Sequence, residues 1–362
     1  MKLLSGTCAL ILLAPAPAVA APLDDLLDGV VLPPDALRAD IETLTGATGD
    51  PPILSRSIHH PDLARAEDWL IARLEAIDGL TVSTELVSVT VELDGESTDV
   101  DGLRNIVAEI PGPDAPMLVL GAHLDSTAKA SPEGWDARVD PAPGADDDAS
   151  GVASLLQVAQ TLASWPGGFE RPVRFVFFTA EEVGLLGSGQ YVDGLVDGGA
   201  DVHAMFQLDP VGFNGNFTDR LWFAWDARWP ELRDAADVAA ADTDTWLTVQ
   251  GVDAALIGGD DRSDHFHFWE AGWPALHFGA FPPPPDYHKT TDTLAVVDID
   301  FLAEVTRVIT ALSAAQAGPL APPDPPPESG CACSSGPVSS PPGSLVLAAA
   351  LAWVLRRRRQ CG

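Results

Sequence analysis

Six short stretches set histidine and carboxylate where side chains do chemistry. They are GAHLDST with His123 and Asp125, GADDDASG with Asp147 in the middle of three aspartates, TAEEVG with Glu181 and Glu182, QLDP with Asp209, GGDDRSDH, and DYHKTTDT with His288. Taken singly each is weak. An acidic pair suits the start of a helix, where it meets the positive end of the dipole, and an aspartate before a helix is an ordinary N-cap. The chain holds 53 Asp and Glu against 20 Lys and Arg, a formal charge of −33, so acidic runs also arise by chance. The series is another matter. His123, Asp125, Asp147, Glu181, Glu182, Asp209 and His288 include no lysine or arginine, and gathered together they would repel strongly unless a cation lay between them. Imidazole and carboxylate without thiolate suit zinc, ahead of manganese or cobalt. Two ions about 3.5–4 Å apart need a shared carboxylate. Two histidines and three carboxylates make five ligands, which leaves one carboxylate over as a base.

The elements around these residues explain their placement. Helical spacing of apolar residues predicts helices over Leu63–Leu74, Gly151–Ser164, Gly184–Val196, Trp229–Ala241 and Asp300–Ala315. Strands are expected at Thr81–Glu92 and Asn105–Ile110, and as short continuous apolar runs at Met117–Ala122, Val173–Thr179, Val202–Leu208 and Pro274–Phe278. Apolar strands separated by helices imply an α/β domain, with a mostly parallel central β-sheet flanked by helices on both faces. Ligands in such folds bind beyond the carboxyl ends of the strands, and the stretches carrying His123, Glu181, Asp209 and His288 follow predicted strands.

The motifs HLDS, GADDDASG, AEEVGLLGS, QLD, SDH and YHKTTDT, in this order over about residues 55–315, resemble the co-catalytic zinc aminopeptidases of the bacterial leucyl aminopeptidase type. The resemblance implies a zinc-peptidase fold, two zinc ions and hydrolysis of N-terminal residues from peptides. It casts Asp147 as the bridging ligand, His123 and Asp209 as completing one zinc, and Glu182 and His288 as completing the other. Glu181 matches the general base and Asp125 the carboxylate that orients His123. Asp148 follows an unusual peptide bond in that family, and Asp146 has no assigned role. One position departs from the pattern: relatives carry an oxyanion-stabilising tyrosine three residues before Ser-Asp-His, where this chain has Asp260, and Arg262 either substitutes for it or pairs with Asp260 or Asp261. The same fold also hosts carboxypeptidases and glutaminyl cyclases, and a non-catalytic surface binding protein is a third reading. The full ligand set favours peptidase chemistry. No G-x-S-x-G or H-E-x-x-H occurs. Trp222, Trp225, Trp229, Trp246, Trp269 and Trp273 either line an apolar pocket or pack the core, and His265, His267 and His277 are left without a role.

Composition bounds the rest. A pI of about 4.2 excludes nucleic acid and anionic membrane as main partners, because both need basic patches. Residues 1–20 read as a signal peptide: Lys2, an apolar run and the small-x-small Ala18-Val19-Ala20. Residues 21–316 form the expected catalytic domain, which has no cysteine, since all four (Cys8, Cys331, Cys333, Cys361) lie in the ends. Residues 317–343 are a Pro/Ser/Gly-rich linker with a Cys motif. Residues 344–362 join a short apolar run to Arg356–Arg359, in the order of a stop-transfer segment. This tail resembles the sorting tails of myxobacterial surface proteins (MYXO-CTERM type), which implies membrane retention, processing, and placement at the cell surface or outside the cell.

Overall fold

The computed structural model describes residues 22–30, 32–215 and 218–323. The expected signal peptide and the sorting tail, with its Cys motif, lie outside the described residues. Among the described residues no helix is long and apolar enough to cross a membrane.

The chain runs α1 (Pro22–Asp28), α2 (Pro34–Leu44), α3 (Asp62–Glu75), β1 (Thr81–Leu93), β2 (Glu96–Ile110), β3 (Met117–His123), α4 (Ala149–Ala163), β4 (Val173–Phe178), α5 (Leu186–Asp197), β5 (Val202–Leu208), β6 (Arg220–Trp225), α6 (Pro230–Asp242), β7 (Thr248–Asp253), α7 (His265–Glu270), β8 (Ala275–Gly279) and α8 (Ile299–Ala317). Eight strands form one sheet in the order β1-β2-β4-β3-β5-β8-β6-β7. The four central strands, β4, β3, β5 and β8, are mutually parallel. An antiparallel hairpin, β1–β2, closes one edge, and β6–β7 joins the other edge antiparallel to β8. The sheet is therefore mixed, with its parallel part at the centre.

Alternation along the central strands sends side chains to two cores. In β3, Leu118, Leu120 and Ala122 join the larger core with residues of α2, α3, α4 and α8, while Val119 joins the smaller one with residues of α5 and α7. Phe175 and Phe177 of β4 face the first core, and Val176 and Phe178 the second. Helices thus cover both faces. The predicted helices and the six predicted strands are present to within a few residues, except that β2 begins at Glu96, well before the predicted start at Asn105. Helices α1, α2 and α7 and strands β6 and β7 were not predicted. Strand β7, Thr248–Asp253, is only half-buried along its length and carries Gly251, so it lacks the apolar run that marks its neighbours. Beyond α8, Glu170 donates its amide to the carbonyl of Gly318 at 2.8 Å, and Leu320 donates to that of Gly168 at 2.9 Å. The domain therefore keeps its chain a few residues past the predicted boundary at 316.

Candidate metal centre

The central strands deliver their carboxyl ends to one rim of the sheet. His123 is the last residue of β3, Glu181 and Glu182 follow β4, Asp209 follows β5, and His288 lies on the loop after β8. Two backbone features aim them. Ala180 adopts a left-handed φ of 55° and turns the chain after β4, and His288 itself sits at φ 58°, a costly conformation for a residue with a side chain and one found mostly at functional sites. The peptide bond between Asp147 and Asp148 is cis.

The three adjacent aspartates point in three directions. Asp146 accepts a bond from the amide of Gly212 at 2.7 Å. Asp148 accepts from the amide of His123 at 3.1 Å and caps α4 by accepting from Gly151 at 3.0 Å. A side chain at Gly151 would run into the Asp148 carboxylate and the Leu208 carbonyl, so this cap requires glycine. Asp147 alone faces inward. Its Oδ1 lies 3.0 Å from His123 Nε2 and its Oδ2 3.2 Å from His288 Nε2. Around the first pair, Asp209 Oδ1 lies 3.5 Å from His123 Nε2. Around the second, Glu182 Oε2 lies 3.0 Å from His288 Nε2. Ligand atoms of His123, Asp147 and Asp209 all fall within 4.8 Å of one another, as do those of Asp147, Glu182 and His288. Glu181 stands beside them, 3.9 Å from His123 Nε2.

A divalent cation fits this arrangement. Asp147 Oδ2 and both Glu182 oxygens are buried with no hydrogen-bond partner. Their short approaches to His288 therefore lack hydrogen-bond alignment, and buried carboxylate oxygens left in that state are costly. The charge pattern agrees. Burial alone would lower the pKa of His123, yet Glu181, Asp209 and Asp147 raise it well above the usual value. His288, likewise disfavoured by burial, is pushed up to about 9 by Asp147 and Glu182. The pocket thus favours positive charge where the ions would lie. Burial pushes the Glu181 carboxyl well above its usual range; His123 opposes the rise, and Asp209 and Glu182 add to it.

Surrounding contacts hold the ring and the carboxylates in place. His123 Nδ1 donates to the backbone carbonyl of Asp125 at 3.0 Å, while the nearer carboxylate oxygen of Asp125 is 3.8 Å away. That carboxylate instead accepts the amides of Glu181 at 3.0 Å and Glu182 at 3.2 Å, so Asp125 orients both the imidazole and the Glu-Glu turn. Asp292 accepts the amides of Asp146 at 2.9 Å and Asp147 at 3.1 Å. Beneath the centre lies Arg56, fully buried. Its guanidinium donates to the carbonyls of Leu124 at 2.7 Å, Leu44 at 2.9 Å, Pro143 at 2.6 Å and Gly144 at 2.9 Å.

One residue without an assigned role joins the site. The ring of Tyr287 stacks on His288 with centroids 3.6 Å apart. Burial first, then Asp147, Asp209, Glu182 and Glu181, push its hydroxyl well above the ordinary phenol range, which places it in the field of the same carboxylates. In the sequence only its adjacency to His288 marks it. Asp260 is buried and tied to Arg262, whose Nε donates to it at 2.8 Å. Of the tryptophans, Trp222 lines a cavity and Trp269 is buried in the core, while Trp246 is exposed.

Residues 105–313 match the family model described as Peptidase family M28. The chain belongs to peptidase family M28. Leucine aminopeptidase 1 of Sclerotinia sclerotiorum is 30% identical over 227 residues, 58% of this chain and 55% of that protein. The M28 chain spans about half the length of the curated relatives it matches. Among solved structures, the LapA aminopeptidase of Legionella pneumophila superposes with a TM-score of 0.63 at 22% identity, over 83% of this chain and 75% of that one. A glutaminyl cyclase of Porphyromonas gingivalis superposes with a TM-score of 0.61 at 20% identity, over 79% of this chain and 99% of that one. The likeness to both structures is one of fold.

Proposed function

We propose that this M28 chain is an exported zinc aminopeptidase that removes N-terminal residues from peptides. The observation that carries the reading is Asp147, one buried carboxylate whose two oxygens face two separate histidines at 3.0 and 3.2 Å. In this reading His123, Asp147 and Asp209 hold one zinc, and Asp147, Glu182 and His288 hold the other. Bound there, the ions make water more acidic and polarise a substrate carbonyl. Glu181 takes the proton of the attacking water and returns it to the leaving amine; its raised affinity for a proton suits both steps. The Tyr287 hydroxyl donates to the carbonyl oxygen as negative charge develops there, the role that a tyrosine at position 260 plays in relatives.

An amine rather than a carboxylate is the substrate group that this surplus of acid recognises. The cations nearby are engaged: Arg56 on four carbonyls, Arg262 on Asp260, and Lys129 on the carbonyl of Glu182 at 3.2 Å. A carboxypeptidase needs such a cation free to grip its substrate. An open cavity of about 530 Å³ adjoins the site, with Pro210, Val211, Phe213, Trp222, Phe281 and Pro285 among its walls. Pro210 follows Asp209 and Pro285 precedes His288 on the same loop, so an apolar substrate side chain would settle here.

The test is metal content together with turnover of amino-acid arylamides, free and N-blocked. About two zinc ions per chain, with cleavage of the free-amine forms alone, is the expected result. One ion or none, without turnover, would sink the reading, and turnover of N-terminal glutaminyl peptides to cyclic products would replace it with cyclase chemistry. The signal peptide and sorting tail belong to the same proposal, with the domain carried through a membrane and retained at the cell surface.

A further inference from the structure

One buried cluster lies outside that reaction scheme. Asp260, His265 and His277 are 3%, 0% and 3% exposed, and their ligand atoms fall within 4.8 Å of one another. The rings argue against a third ion here. His265 and His277 stack with centroids 4.5 Å apart and planes only 28° apart, so their in-plane lone pairs run side by side and do not converge on one point. His277 is instead bonded at both ends. Its Nδ1 donates to Asp260 Oδ2 at 2.8 Å, and its Nε2 donates to the backbone carbonyl of Asp209 at 2.7 Å. The other oxygen of Asp260 accepts from Arg262 Nε at 2.8 Å, and the Arg262 guanidinium lies 4.7 Å over the Phe281 ring. Asp260 is held on both oxygens, and the imidazole joining it to Asp209 cannot turn without breaking a bond at each end. The Asp209 amide is fixed too, donating to Phe278 at 2.8 Å.

We propose that Asp260 is a positioning residue: acting through His277 it fixes the backbone of Asp209, and thereby sets the affinity and coordination of the ion held by His123, Asp147 and Asp209. The inference rests on the metal-centre reading above. It also accounts for an otherwise costly choice. A buried carboxylate placed beside a centre already crowded with carboxylates needs close partners, and His277 and Arg262 supply one for each oxygen. Outer contacts of this kind typically alter metal affinity by about 10–100-fold.

The experiment uses the whole chain loaded with cobalt in place of zinc, as wild type, Asp260→Asn, His277→Gln and His277→Leu, with folding checked by circular dichroism. Asp260→Asn is expected to bind one of its two cobalt ions about tenfold or more weakly in chelator competition, with a shifted visible absorption band, and to leave the other ion unchanged. His277→Gln, whose amide N–H can reach the same carbonyl, is expected to keep most of the affinity that His277→Leu loses. Should Asp260→Asn fail to fold, the contrast between the two His277 variants decides. Equal affinities and an unshifted band in all variants would overturn the inference. So would a third cobalt that wild type binds and Asp260→Asn does not. A wild type that binds no cobalt overturns the metal-centre reading along with it, whereas one that binds two ions indifferently to residues 260 and 277 overturns this inference alone.

Discussion

At the scale of single residues, adjacent carboxylates divide the labour. In the proposed reaction Glu182 grips metal and Glu181 moves protons, so Glu181→Gln is expected to retain both ions while losing several orders of magnitude in kcat. Loss of zinc from that variant, measured by atomic absorption, would reverse the assignment of the pair. Tyr287→Phe is expected to cost about 10²-fold in kcat with KM little changed, as steady-state kinetics would show. The histidines make a different prediction. His288 is raised to about 9, so it carries a proton at pH 7 in the metal-free chain, and His123 is raised in the same direction by Glu181, Asp209 and Asp147; each must be without its proton to bind an ion. Zinc addition at pH 7 should therefore release protons, that of His288 among them, readable with a pH indicator in weak buffer, and zinc affinity should rise with pH up to about 9. The candidate ligands and their order were legible in the sequence, because His123, Glu182, Asp209 and His288 follow strands whose apolar runs announce them and Asp147 lies just before a helix. Tyr287 was not legible as a functional residue, because its position depends on a loop whose course periodicity does not describe. The Asp260–His277 pair was hidden for a related reason: its two members are brought together only by the packing of α7 and β8.

At the scale of elements, the Glu-Glu turn depends on a strand that contributes no ligand. Asn105 of β2 is buried, donates to the Gly187 carbonyl at 2.9 Å and accepts the Thr179 amide at 3.1 Å. It ties the end of β4 to the start of α5, with the turn between them. Asn105→Ala leaves a buried amide and a buried carbonyl unpaired, at a cost of about 1–3 kcal/mol for each such group. The expected outcome is a clear drop in denaturant midpoint together with weaker zinc binding at Glu182. An unchanged midpoint would mean that the turn is held from elsewhere. The parallel centre of the sheet was readable because its strands are apolar on both faces. The edges were readable in part: β1 shows in its alternation although most of its residues are exposed, but β6–β7 runs against the central direction, a reversal that no local pattern encodes.

At the scale of the whole molecule, the centre makes stability depend on pH in an unusual direction. Burial raises Asp125, Asp146, Asp148, Glu181 and Glu182 above their usual range, and lifts Asp264 and Asp292 to about 7. In the metal-free protein these groups hold protons that the unfolded chain has already released above about pH 4. The stability they lend is complete below that pH and is lost as pH rises through the folded values. Asp147 and Asp260 are lowered and act oppositely, but at pH values below this window. Chelator-treated protein should therefore melt at progressively lower temperature from about pH 5 to 8, and zinc should restore the loss most strongly at the upper end, as differential scanning calorimetry would record. A chelated protein that becomes more stable over that interval would contradict the charge distribution described for the centre.

Arg56 has a consequence for the order of events. Its guanidinium joins the loop after β3 and the loop before α4 from beneath, through carbonyls alone and without using any ligand side chain. The segment after His123 and the loop that leads to Asp147 are thereby held together by the polypeptide itself. The expectation is that this pair of loops keeps its place when ions are added to the folded chain, so amide hydrogen exchange at Leu124 and Gly144 should be unchanged by zinc.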